Sequence, residues 1–473
     1  MGPVYTRGPY LFSFLFIFLG FVLLLLSVFP VAHPFFVVPG YHNQQRVAEI
    51  ALAIGVLLSL FCRGSRESSY AFVSSSFGPF VIVFLVVACC WLLFSSFISG
   101  YVGQGVQELG RYAAAFSVYI YCCVNFIKKS GWSRWVYFFW LFTGTLISIS
   151  AIVIIFVGFF SGDGLKPFVP GFSQIRSLNH FQVFFVPFFA AAYFYASRVE
   201  VLVILIVLTA HWFLVFYSGG RGILLGLLVS HLYLYFLSIH WDISRLRRFL
   251  PVLSLILGVC IFLCIRLSFA AESGGGVGGF LERGDSGRFR LWSVALTAFS
   301  ENFVFGVGGQ GFGRLNSGFP ENSAHSFPFN VAAEYGIFGF SIVLIFYYYT
   351  LKNILRQGID GRDHLALSAR ASIVGALVYS LFTGIFLSPV STFLAPFVFA
   401  MAFSKLKAPP VFREVHYRSV FLLTMTWFLG VCFVALSLYD LVVNYGAIGA
   451  CYDGIRCGPR MWLNGVGLSN FYP

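Results

Sequence analysis

The chain has 473 residues, of which 59% are hydrophobic and only 10% charged, and its mean hydropathy is +0.87. That composition lies well outside the range of soluble domains and describes a protein solvated by lipid. The net charge of +13 has a topological reading before any nucleic-acid one, because lysine and arginine accumulate in short loops on one side of a bilayer.

A bilayer-spanning helix needs about 20 mostly apolar residues. Roughly thirteen segments meet that description, with 12 to 14 the fair range. They run near 10–32, 46–62, 79–99, 110–127, 136–160, 180–197, 200–217, 222–239, 249–270, 328–350, 369–387, 391–404 and 419–444. The fold class expected is all-α, one polytopic membrane domain over residues 1–473. The first run is long and lacks a small-residue cleavage site, so it reads as a span and not as a removable signal. With the amino terminus inside, "RGSRE" (63–67), "KKSGWSR" (128–134), "SRLRR" (244–248), "LKNILRQGIDGRDH" (351–364) and "KLKAPPVFREVHYR" (405–418) fall on the cytoplasmic side. Together with Arg7, Arg198 and Arg370 they place 18 of the 30 Lys and Arg inside, as the positive-inside bias requires.

Three outward interruptions stand out: 161–179, a tight turn at 218–221, and the longest, 271–327. Chemistry on polar substrates must occur where water, loops and polar groups converge, so these are the candidate site. The long loop opens with "AESGGGVGGFLERGDSG", flexible by composition. Ser286 is expected to cap a surface helix whose apolar face carries Leu291, Val294, Ala295, Ala298 and Phe299. A glycine-rich reversal, "GVGGQGFGRLNSGFP", then leads to His325 and the next span. Residues 446–473 form a short outward tail in which Cys451 and Cys457 flank "YDGIR"; the other eight cysteines sit in or beside apolar segments as small hydrophobes. There is no internal repeat, and the spans read as nearly free of ionisable residues, with Glu334 the main exception. Both features weigh against a transporter or lipid flippase.

Arg221, in "YSGGRGILLGLL", is either a snorkelling anchor or an anion ligand beside glycines that allow close backbone approach. Arg288 and Arg290, beside Trp292, are either a solvated face or guanidinium forks for phosphate. His325, with Pro328 suited to the first turn of the next helix, is either a structural residue or a base, which must be a neutral imidazole near pH 7. The outer loops show no paired carboxylates or His/Cys spacing for a metal site, and no glycine-rich loop followed by Lys-Ser/Thr for a nucleotide.

Taken in order, "SGGRGILLGLL", "SGRFRLWSVALTAFSENFVFGVGGQGFG" and "AHSFPFNVAAEYGIFG" resemble the signature stretches of the bacterial O-antigen ligase and polymerase superfamily, which includes O-oligosaccharyltransferases. The resemblance covers roughly 215–340. It implies a C-type glycosyltransferase-like architecture in the bacterial inner membrane with the site facing the periplasm. It also implies an undecaprenyl-diphosphate-linked glycan as donor and no cofactor. Carried over, Arg221 and Arg288 hold the diphosphate, with Arg290 beside them, and His325 deprotonates the acceptor hydroxyl. "IRSLNHFQVFF" is similar to a polar motif opening a further span, which adds Arg176 and Asn179, and Glu334 falls in the Glu-x-Gly of the family pattern. This chain reads His325-Ser326 where the ligases commonly read His-Asn, with Asn330 farther on. The acceptor implied first is lipid A-core; a protein hydroxyl or a second lipid-linked glycan are the alternatives.

If the tail faces an oxidising compartment, Cys451 and Cys457 form a short-loop disulfide. They are then expected to resist alkylation in intact cells until a reductant is added. Free labelling without reductant, read by mass spectrometry of the tail peptide, would refute the pairing.

Overall fold

The computed structural model describes residues 41–126, 132–160, 175–241, 243–273, 287–315, 323–356, 364–403 and 417–443. The predicted span at 10–32, Ser286, most of the outward segment 161–179 and the tail with Cys451 and Cys457 lie outside the described residues.

Helices are the regular structure of the described residues, with no strand among them. In chain order the helices are α1 (Tyr41–Ser59), α2 (Arg63–Ser76), α3 (Pro79–Ile98), α4 (Val102–Tyr121) and α5 (Trp132–Phe160). Next come α6 (Ile175–Ala192), α7 (Arg198–Ser218), α8 (Arg221–His240), α9 (Arg245–Ser273) and α10 (Arg288–Glu301). The last are α11 (Phe312–Leu315), α12 (Phe327–Arg356), α13 (His364–Ser380), α14 (Pro389–Phe403) and α15 (Tyr417–Val443). Starts follow local chemistry. Proline occupies the first turn of α3, and a Ser197/Glu200 capping box opens α7.

Among the described residues seven helices are individually long and apolar enough to cross a membrane: α3, α5, α7, α8, α9, α12 and α15; α1 and α2 make an eighth if counted as one bent span. Helices α13 and α14 are apolar but shorter. Predicted spans at 110–127 and 180–197 correspond to α4 and α6, which are not in that set. Both carry polar residues in their first half, and both lie in the interior. Helix α4 packs against α1, α2, α3, α14 and α15; α6 packs against α5, α7, α8, α13 and α14. Side chains from Val183 to Tyr193 are essentially inaccessible, among them Phe184, Phe185, Phe188 and Phe189. Neighbouring helices, and not lipid, surround these two, so polar groups can be satisfied within the protein.

Two expectations are corrected here. "RGSRE" does not form a loop: the chain turns by 97° after α1 and continues as α2. An exposed Arg63–Glu67 pair one turn apart supports that helix, and Phe72 and Val73 bury its inner face. The helices are also not nearly free of charge. Arg46 and Glu49 in α1, and Glu108 and Arg111 in α4, are all buried.

Helices in lipid gain little from hiding apolar surface from one another, so close packing through small residues matters more. A β-carbon on Gly226 of α8 would stand 2.8 Å from the Gly375 carbonyl oxygen of α13, and one on Gly110 of α4 would overlap the Leu429 carbonyl of α15. Backbone cannot yield there as a flexible side chain can. Gly110→Val is therefore expected to destabilise the fold by on the order of 1–3 kcal/mol, seen as a lowered melting temperature of the detergent-solubilised protein. An unchanged melting curve would contradict the contact.

Candidate active site

The turn between α7 and α8 is built from Ser218, Gly219 and Gly220. Gly219 takes a left-handed conformation (φ 63°) that ends α7. Asn179 of α6 seals the turn from beneath: its Nδ2 donates to Ser218 Oγ at 3.1 Å, and Ser218 Oγ also accepts from Gly220 N–H at 3.3 Å. A β-carbon on Gly220 would stand 2.5 Å from Asn179 Nδ2, so a larger residue there would displace the Asn179 side chain from its bond to Ser218. The result presents Arg221, exposed, at the first position of α8. Arg176 lies one turn before His180 on α6, and its side chain is outside the described residues.

Helix α10 forms where the apolar periodicity predicts a helix. Leu291, Ala295 and Ala298 are buried, packed with Val294, Phe312, Ala324, Phe329 and Ala333. Phe299 meets Phe303 and Phe340. The residue that opens it is Gly287, left-handed at φ 75°, with no side-chain cap. Arg288 shares a face with Trp292, four residues on, whereas Arg290 lies about 200° around the axis. Accordingly Arg288 is half-buried and Arg290 exposed.

His325 adopts φ 48°, the left-handed region that costs a non-glycine residue on the order of 1 kcal/mol or more and needs surrounding structure to hold it. Three hydrogen bonds do so. His325 N–H donates to Ser323 Oγ (3.2 Å), Ala324 N–H donates to Asn330 Oδ1 (3.3 Å), and Asn330 N–H donates to the Ser326 carbonyl (2.9 Å). Asn330, wholly buried on the first turn of α12, thus reaches back to the loop.

Glu334 plays a different part. Helix α12 breaks at Gly336 (φ 63°, ψ −157°), which frees backbone groups that lipid could not satisfy. The glycine-rich reversal and the residues just before it supply the partners: Val307 N–H to the Ala333 carbonyl (3.0 Å), Gly308 N–H to that of Glu334 (2.8 Å), and Ile337 N–H to that of Phe303 (2.8 Å). The Glu334 carboxylate accepts from Phe312 N–H at 3.4 Å, at the start of α11. The Glu-x-Gly and Gly-x-Gly patterns are therefore two sides of one joint.

These pieces meet at the connection between α13 and α14, which sequence reasoning left inside a predicted span at 369–387. Phe382 Cβ would stand 3.0 Å from a β-carbon on Gly222, next to Arg221, and its ring lies 6.4 Å from that of Trp292. Thr383 Oγ1 is 3.2 Å from His180 Nε2, and the Tyr379 ring is 5.8 Å from the His180 ring. A β-carbon on Gly384 would stand 2.8 Å from Ser323 Oγ, the acceptor for His325 N–H. His180 and His325 lie within electrostatic reach of each other. The structure thus brings together the elements carrying Arg221, Arg288, Asn179 and His325, adds His180, Phe382 and Thr383, turns Arg290 away, and uses Glu334 as a strut. The only sequence signal for the connection was the polar interruption "TG" with "SP" shortly after it.

An all-helical, multi-pass membrane protein whose arginine- and histidine-bearing loops converge at one end of its helices is the class defined so far. Residues 201–344, from α7 into α12, match the family described as O-antigen ligase, which supports membership of the O-antigen ligase superfamily. Arg221, Arg288, His325 and Glu334 fall within the match; His180 and the connection at 381–387 fall outside it. No curated protein matches the chain.

Asn330→Ala removes the acceptor for Ala324 N–H and leaves a buried donor unpaired, a cost of about 1–3 kcal/mol. The variant is expected to melt earlier and to lose activity, and Asn330→Asp, which keeps the oxygen, to lose less. Equal behaviour of Asn330→Ala and the unaltered protein would show that the loop is held by other means.

Proposed function

We propose that the protein is an inverting, metal-independent glycan transferase. It moves an oligo- or polysaccharide from undecaprenyl diphosphate to a periplasmic hydroxyl, that of lipid A-core first among acceptors. The family match supports a glycan transferase of the O-antigen ligase or polymerase type. The observation that carries the finer reading is the convergence of the Arg221, Arg288 and His325 elements on Phe382 and Gly384.

In this reading Arg221 and Arg288 grip the donor diphosphate. A guanidinium offers two parallel N–H donors to phosphate oxygens and stays charged at every relevant pH. As the anomeric C–O bond breaks, negative charge grows on the leaving diphosphate, and fixed guanidinium groups there stabilise the transition state. The acceptor oxygen attacks the anomeric carbon from the opposite face, its proton passes to the His325 imidazole, and one displacement inverts the centre. The left-handed backbone at His325, held by Ser323 and Asn330, fixes where that imidazole stands.

The purified protein is incubated with lipid-linked glycan in EDTA together with lipid A-core, a protein hydroxyl acceptor or a second lipid-linked glycan. Transfer to lipid A-core is expected. Product only on protein would assign an O-oligosaccharyltransferase, product only on glycan a polymerase, and no product with any acceptor would refute the proposal. His325→Ala should lower turnover by about 10²- to 10⁴-fold with donor affinity unchanged. Arg221→Ala and Arg288→Ala should abolish most transfer in folded protein. Arg221→Lys should rescue poorly, because it keeps charge and loses the fork; full activity in that variant would mark Arg221 as a lipid anchor.

A further inference from the structure

The segment that gathers the candidate site is held from behind by charges that the mechanism above does not use. Arg46 on α1 pairs with Glu49, and Arg111 on α4 pairs with Glu108. Each of these hydrogen-bonded pairs joins residues one turn apart on one helix, and each arginine also interacts with the carboxylate of the other pair, so the four charges form one cluster between α1 and α4. Both arginines then spend their other terminal nitrogen on one atom: Arg46 Nη2 donates to the Leu387 carbonyl oxygen at 2.7 Å, and Arg111 Nη1 donates to the same oxygen at 2.9 Å. All four side chains are buried, Arg46 at 1% and Arg111 at 2% exposure.

Leu387 closes a short 3-10 turn, Ile385–Leu387, and its own N–H donates to the Gly384 carbonyl at 2.9 Å. Gly384 packs on Ser323, and Thr383 bonds His180. The clamped carbonyl is therefore one hydrogen bond from the residues that meet both histidine-bearing elements. A carbonyl oxygen has two lone pairs, and two guanidinium groups occupy them. The same region of α4 also reaches the other loop. Gln107, next to Glu108, accepts from Gln310 Nε2 of the glycine-rich reversal at 3.4 Å and donates to Asp440 at 2.9 Å.

Ionisable side chains within the membrane-embedded part of a protein are costly and mark function by default. A pair kept only to neutralise itself needs one nitrogen of each guanidinium, and lysine would serve. We infer that Arg46 and Arg111 are positioning residues, a double-guanidinium clamp on the Leu387 carbonyl that sets the 381–387 segment and, through it, the relation of His180, His325 and Arg221. The inference rests on the proposed transferase activity for its kinetic consequence and on geometry for the clamp itself.

Arginine-to-lysine exchange separates the clamp from the charge pair. Arg46→Lys and Arg111→Lys, singly and combined, keep the cation beside its carboxylate and lose the second arm of the fork. Small misplacements of a catalytic constellation cost up to about 10²-fold in rate. The combined variant is thus expected to lose turnover on the order of tenfold to a hundredfold, with donor KM and the yield of folded protein unchanged. A second readout needs no activity. Thr383→Cys, buried in the native setting, is labelled by a small thiol reagent and quantified by mass spectrometry, with and without the lysine exchanges. Severalfold faster labelling in the lysine background is expected. Wild-type turnover with unchanged labelling would overturn the clamp, as would a loss confined to donor KM or one that follows the loss of folded protein. If the combined variant does not accumulate, Arg111→Lys alone is read in the same way. Should the unaltered protein transfer no glycan, the proposed function fails, and labelling at position 383 still decides the clamp.

Discussion

In a bilayer, each backbone N–H and C=O must find a partner inside the protein, and the arrangement around the site follows from how that demand is met where helices are interrupted. The break in α12 at Gly336 is the central case. It opens backbone groups at 333–337, and the glycine-rich reversal is the segment shaped to pair with them. Glycine is required because the two backbones touch: β-carbons on Gly306 and Gly336 would overlap the opposing chain. Once that joint is closed, α10 is bound to α12, and Arg288 and His325 stand on two arms of a single support.

A second interruption, between α13 and α14, meets the same demand differently. Its last carbonyl is taken by two buried arginines and not by another stretch of backbone. The two interruptions are linked through α4, whose Gln107 reaches the reversal while Arg111 reaches Leu387. Helix α4 is thus polar along one part because it serves two loops. The same residues that disqualify it as a lipid-facing span make it useful inside.

Much of this was legible in the sequence where residue type is unusual for its surroundings. Arginines beside glycines at 218–221 and 287–290, the histidine before Pro328, and the apolar face of α10 all announce themselves against an aliphatic background. What stayed hidden has identifiable causes. The clamp on Leu387 acts through a carbonyl, and a carbonyl leaves no trace in residue type. The connection at 381–387 lies in an apolar run, so length and hydropathy absorbed it into a span. Hydropathy also counted α4 and α6 as spans of the ordinary kind, because it registers mean polarity and not whether neighbours or lipid surround a helix. The elbow between α1 and α2 was missed for the opposite reason: its charged residues suggested a loop, while Phe72 and Val73 supplied a buried face.

The contact between Gly226 and Gly375 has a mechanical side. With two backbones abutting there, and Gly222 abutting Phe382 and Tyr379 one turn away, α8 and α13 are fused into one stiff beam along the half that ends at the site. Arg221 opens α8 at the end of that beam, and Phe382 lies two residues past the end of α13 beside it. The other wall is joined differently: α10 and the His325 loop meet α12 through the backbone hydrogen bonds around Gly336, and not through abutting glycines. Arg221 therefore stands on a rigid edge, and its distance from Phe382 is set by backbone contact and not by side-chain choice.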